Sequence, residues 1–290
     1  MEDHRMEEID LKYVKNQTPE VCLEAVKQNP LNLQYVHEQS EEVCLAAVRL
    51  CGGVLRFVHD QTTDICFRAV MQDGNALCYV REQTPEICLT AVMQNGLALR
   101  YVHVQTPEIC LAAVKQNGLA LQYVKDQTQD ICLAAVLQEP ESLIHVRNQT
   151  QEVCLIAVRQ KGTVIAYVED QSNRICIEAI NNTYNAFRYI RHQTPELCMY
   201  AVKQNGALLQ YVENQTLEIC LTAVRQWAFS LVYVHEQTPE ICLVAVKKDG
   251  MVLRYVKDQT EKICRAAVEQ NPDAMQYVRD KSIFEEKDEK

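Results

Sequence analysis

The sequence predicts an all-α protein, an α-solenoid of twelve 22-residue two-helix repeats with partial repeats at its ends. Three observations carry this expectation. Cysteines at 22, 44, 66, 88, 110, 132, 154, 176, 198, 220, 242 and 264 keep a spacing of 22 without an insertion or deletion. All 8 Pro fall at two positions of the resulting unit, and seven of the 8 Gly fall at one of those two. Within every unit the apolar residues recur at helical spacing in two short stretches, each too short to be stable alone. Numbered from its first Gln, the unit runs Gln-Thr-Pro-Glu-Ile-Cys-Leu-x-Ala-Val-Lys-Gln-Asn-Gly-x-Ala-Leu-Gln-Tyr-Val-Lys-Asp, and twelve copies fill residues 17–280.

The first helix of each unit begins at a Ser or Thr at position 2, an N-cap whose hydroxyl accepts from an orphan backbone N–H. Pro at position 3 in five units suits the first helical residue, and an acid at position 4 in ten units suits the positive end of the helix dipole. The helix is expected to run to about position 12, where Gly (seven units) or Pro (three units) at position 14 gives a stop signal. Its positions 5, 6, 7, 9 and 10 are apolar, while 4, 8 and 11 form the outward stripe. A second helix is expected over positions 15–22, with 16, 17, 19 and 20 inward and 18, 21 and 22 outward. Residues 1–16 read as an N-terminal capping partial repeat, because Ile9-Asp10-Leu11-Lys12-Tyr13-Val14 matches a second helix without its first. Residues 281–290 read as a charged C-terminal tail.

Composition narrows the function. A chain of 290 residues that is 48% hydrophobic is not a disordered one, and a net charge of −10 disfavours a general nucleic-acid binder. The acidic start Met1-Glu2-Asp3-His4-Arg5 has no apolar core of a signal peptide, and no apolar run approaches a membrane span. Fourteen Cys therefore point to an intracellular, cytoplasmic protein with reduced thiols.

The string Gln105-Thr106-Pro107-Glu108-Ile109-Cys110-Leu111-Ala112-Ala113-Val114-Lys115-Gln116-Asn117-Gly118-Leu119-Ala120-Leu121-Gln122-Tyr123-Val124 resembles the tandem-repeat family of the domain of unknown function 4116 (DUF4116). That family occurs in giant DNA viruses and some bacteria. The resemblance covers residues 17–280 and supports the repeat architecture. A viral source would imply an infected host cell or a virion. It brings no activity with it. The unit least like the family is 171–192, where Asn173-Arg174 and Thr183-Tyr184 replace the usual Pro-Glu and Asn-Gly.

No catalytic, cofactor-binding or metal-binding constellation is expected: the acids and His are strewn at 22-residue intervals, and no phosphate loop or nucleophile elbow occurs. The position-6 Cys reads as a small core residue at a tight helix contact, with metal or redox chemistry the minor alternative. Cys51 and Cys78 lie outside the series. The invariant Gln at position 1 is expected to bond loop backbone groups or the next unit's Gln. Position 19, Tyr in ten units, reads as core with its hydroxyl at the surface.

Two candidate surfaces remain. The first is an aromatic edge where the repeat pattern breaks, made of Tyr184, Tyr200, Trp227 and Phe229, and suited to binding another macromolecule, with a protein the first expectation. The second is a basic ridge at positions 18 and 21, Arg56, Arg81, Arg100, Lys125, Arg147, Arg188, Arg191, Arg254 and Lys257, the alternative being RNA or other nucleic acid. Acids at position 22 in eight units offset that ridge. The expectation is thus a non-catalytic, non-membrane repeat scaffold of unstated oligomeric state.

Overall fold

The computed structural model describes residues 9–284, so Met1–Glu8 of the N-terminal partial repeat and 285–290 of the tail lie outside the described residues. Every described element is a helix, arranged as a helical repeat solenoid, and the chain divides into two compact units, Met1–Ala157 and Val158–Lys290.

In the first unit each repeat pairs one ten-residue α-helix with one six-residue 3-10 helix, as in Pro107–Gln116 and Gly118–Tyr123. The second unit keeps the same pairing, as in Pro239–Lys248 and Gly250–Tyr255. The α-helices begin and end where the sequence places them. Thr106 Oγ1 accepts from the Ile109 N–H at 3.3 Å, and equivalent caps recur along both units. Positions 5, 6, 9 and 10 are buried, as Ile109, Cys110, Ala113 and Val114 show.

The second element differs from expectation. It spans positions 14–19, not 15–22, and it is a 3-10 helix. Turning 120° per residue instead of 100° puts positions 14, 17 and 20 on one face. Position 16 is buried beside them, and the position-19 ring is left half-exposed or exposed, as at Tyr79, Tyr167, Tyr189 and Tyr255. The Tyr series is therefore not core. The Asx side chain at position 13 starts this element: Asn95 Oδ1 accepts from Leu97 N–H at 3.1 Å, and Asp249 Oδ1 from Met251 N–H at 2.9 Å.

The glycine at position 14 stops the α-helix without adopting a left-handed conformation; no Gly has positive φ. It is needed for close approach. A Cβ on Gly96 would lie 2.4 Å from the Ala113 carbonyl oxygen of the following repeat, where no atom can stand. That approach lets the Gly96 N–H donate to Gln116 Oε1 at 2.6 Å, and the same bond joins Gly74 to Gln94, Gly118 to Gln138 and Gly206 to Gln226. Where position 14 is Pro30, which has no N–H to offer, the next repeat carries Leu50 in place of the Gln.

The position-1 Gln makes a second clamp. Gln61 Nε2 donates to the Tyr79 carbonyl at 2.9 Å and to the Leu55 carbonyl of the preceding repeat at 3.4 Å. Its Oε1 accepts from the Arg81 N–H at 3.0 Å and from the Cys66 thiol at 3.7 Å. One amide thus ties two successive 3-10 helices, the loop and the α-helix core, leaving few loop groups unpaired. Of the two bonding modes expected for this Gln, the structure has the backbone one.

The ends are closed differently. Asn32, at a position that is apolar in nine other repeats and Ser in two, is buried and donates to the carbonyls of Ile9 and Ala25 while accepting from Leu11 N–H, which fastens the N-terminal partial repeat. At the other end Arg265 replaces the usual position-7 Leu, donates to the Ile283 carbonyl and covers the Phe284 ring at 5.3 Å.

Candidate functional site: an aromatic and arginine edge

Function in a repeat protein is carried by positions that escape the repeat, and the escapes that place aromatics in the turn of a repeat, Tyr184, Trp227 and Phe229, lie in the second unit. Tyr184 stands at position 14, where seven repeats carry a Gly with no room for a Cβ, and is 45% exposed. The helix pair around it, Asn173–Asn182 and Pro195–Gln204, packs more sparsely than the two pairs that follow. Ser172 gives its helix no side-chain cap, and its hydroxyl is buried without a partner; Thr183 likewise makes no cap. Tyr200 bridges this loosened joint, donating from Oη to Asn181 Oδ1 at 2.5 Å.

Two repeats on, Trp227 takes the Asx position and forfeits that cap, and Ala228 takes the Gly position. Trp227 is 41% exposed and stacks on the half-buried Phe229, with centroids 5.7 Å apart. Phe229 meets the edge of Tyr255 at 5.9 Å. Into this group reaches Arg254, an exposed residue whose guanidinium lies 4.8 Å from the Tyr255 ring, 5.5 Å from Tyr277 and 5.6 Å from Phe229. The rings come from three successive 3-10 helices, Ala228–Tyr233, Gly250–Tyr255 and Pro272–Tyr277.

Of the four expected edge residues, then, the structure brings Trp227 and Phe229 together. Among the described residues no ring contact joins Tyr184 or Tyr200 to them; those two belong to the loosened joint. The contact partners that sequence reasoning missed are Tyr255 and Tyr277, hidden because position 19 reads as core on a 100° wheel.

The basic ridge resolves into two kinds of residue. At position 18, Arg56, Arg100 and Arg188 each cover the ring that follows them, at 4.6, 4.5 and 5.1 Å, while Arg254 covers three. At position 21 the cations fold back onto the preceding repeat. Arg81 donates to the His59 and Val58 carbonyls, Arg147 to Lys125 and Val124, Arg191 to Val168 and Glu169, and Lys125 and Lys257 to His103 and His235.

The repeated thiols sit under shallow grooves between adjacent helix starts; one of about 340 Å³ is lined by Gln215, Leu217, Cys220, His235, Glu236, Thr238 and Ile241. Burial pushes the Cys220 thiol above its ordinary range, and the thiol donates to Gln215 Oε1, so the unreactive protonated form is favoured. Cys78 is exposed and Cys51 half-buried, and all fourteen cysteines are free. Among the described residues no three His, Cys, Asp or Glu side chains converge to hold a metal ion. No helix among them is long and apolar enough to cross a membrane.

Three stretches of the chain, residues 18–61, 84–129 and 238–282, match the family described as Domain of unknown function (DUF4116). Each stretch covers about two of the 22-residue units. No curated protein matches the chain.

Proposed function

We propose that this array of DUF4116 repeats is a non-catalytic scaffold that binds another protein through the edge formed by Trp227, Phe229, Arg254, Tyr255 and Tyr277. The observation that carries this reading is local sacrifice. Trp227 gives up the Asx cap and Ala228 replaces the Gly, both in one turn, and Trp227 and Phe229 form a stacked pair there with Trp227 exposed. Exposed aromatics around an arginine are the residues that dominate protein interfaces. The free thiols agree with a reducing, intracellular setting.

The nucleic-acid alternative is less well supported. Its position-21 cations are spent on backbone carbonyls, and the chain carries −10 overall. Affinity capture from the source cell with the full chain, beside Trp227→Ala/Phe229→Gly, tests the reading. The variant is expected to keep its helical circular dichroism and lose its partner. Equal capture by both, or capture of RNA with a steep salt dependence, would overturn it.

A further inference from the structure

The partner-binding edge contains a cation whose own protein gives it no counter-charge. Arg254 is exposed and, among the described residues, forms no hydrogen bond or ion pair; its contacts are the three rings. Arg100, at the same repeat position, donates to Asn75 Oδ1. The other position-18 arginines cover one ring each. Three rings at 4.8–5.6 Å restrain the guanidinium and lower the entropy lost when its donors engage a ligand. What a fixed, unpaired guanidinium fork recognises is a planar oxyanion with two acceptors, and a carboxylate fits it bidentately.

The surroundings do not oppose an anion: residues 225–277, which span the edge, carry seven cations against seven acids, a local charge of zero in a chain of −10. Lys248 folds over the Arg225 carbonyl two residues before Trp227, and Asp249 accepts the Met251 N–H, while Asp273 lies in the helix that supplies Tyr277. On the premise that the edge binds protein, we infer that its ligand is an acidic peptide segment: an Asp or Glu carboxylate on Arg254, with a neighbouring apolar or aromatic side chain packed on Trp227 and Phe229. A nucleic acid would need a cationic track to follow its phosphates, and the position-21 cations along the array are folded onto carbonyls.

The test is selection of a displayed random 12-residue peptide library on the full chain, with Arg254→Gln as the counter-target and a 12-nucleotide oligouridine titrated in parallel. The inference expects recovered peptides rich in Asp and Glu beside an apolar residue. Synthetic versions should lose at least tenfold in affinity on Arg254→Gln and most of that on Arg254→Lys, which keeps the charge without the planar fork. Replacing each peptide's acids with amides should have the same effect. Neutral or basic peptides, equal binding to Arg254→Gln, or recovery of no peptide would overturn the inference. Neutral peptides that still need Trp227 and Phe229 would do so while leaving the protein-binding reading intact. Oligouridine binding lost on Trp227→Ala/Phe229→Gly would remove both.

Discussion

Repeats 61–126 and repeats 171–236 are built on the same 22-residue unit, yet only the former obey every rule of it. In the former Gly74 and Gly96 approach the next helix closely, Asp73 and Asn95 cap the 3-10 helices, and Thr84 and Thr106 cap the α-helices. In the latter Tyr184 and Ala228 replace glycines, Thr183 and Trp227 replace the Asx caps, and Ser172 caps nothing. One device survives in both: Gln171 and Gln215 still bridge successive 3-10 helices, to Ile165 and Tyr189 and to Leu209 and Tyr233. The difference separates what the fold requires from what it tolerates. The Gln clamp is kept in both regions, whereas the Asx cap is missing at Trp227 and Thr183 and also at Cys51, Glu139 and Lys161, and the Gly is replaced at Tyr184, Ala228 and three Pro.

The largest effect should follow from cutting the shared device. Gln61→Ala leaves the Tyr79 and Leu55 carbonyls and the Arg81 N–H without their partner, a loss of about 2–4 kcal/mol that urea denaturation would register as a clear fall in midpoint. A shift below the error of the titration would show the clamp to be ornamental. Next comes the close approach. Gly96→Ala drives a methyl into the Ala113 carbonyl and should cost about 1–3 kcal/mol. Ala228→Gly, at the equivalent place in the irregular region, should change stability far less because that joint already accommodates a methyl. Equal and opposite effects at the two sites would erase the contrast.

Alkaline pH offers an intermediate test. Burial raises the repeat thiols above their ordinary value of 9.0, and Cys44 and Cys176 are pushed up to about 11. The unfolded chain releases these protons near pH 9 while the folded chain retains them. Stability is therefore complete below pH 9 and falls as pH climbs from there toward 11 in both regions. A denaturation midpoint flat over that window would contradict the buried, protonated thiols. The smallest effect belongs to Tyr200→Phe, which removes a single exposed bond to Asn181 and should cost less than about 1 kcal/mol, seen as faster amide exchange confined to residues 173–204.

Much of this was legible in the sequence. Twelve Cys at one spacing, Ser or Thr before each α-helix and Pro at the first residue of five of them specify where the α-helices start and which face is buried. The second element was not, because a six-residue segment such as Gly96-Leu97-Ala98-Leu99-Arg100-Tyr101 offers less than two turns of pattern, and helical angles of 100° and 120° assign Leu99 inward in both cases but disagree about Tyr101. That single disagreement also concealed half of the site: Trp227 and Phe229 announce themselves as departures from the repeat, while Tyr255 and Tyr277 conform to it and join the site only because position 19 faces outward. Arg254 was visible as one of several ridge cations; that it faces three rings depends on the spacing of three successive 3-10 helices, which no single repeat records.

The claim that the irregular edge is the binding surface is tested most directly by amide hydrogen exchange on the full chain, alone and with its captured partner. Slowed exchange is predicted at residues 225–233, 250–255 and 272–277, with repeats 61–126 unchanged. Protection confined to repeats 61–126, or to the position-21 loops such as 257–259, with none around Trp227 and Arg254, would contradict it.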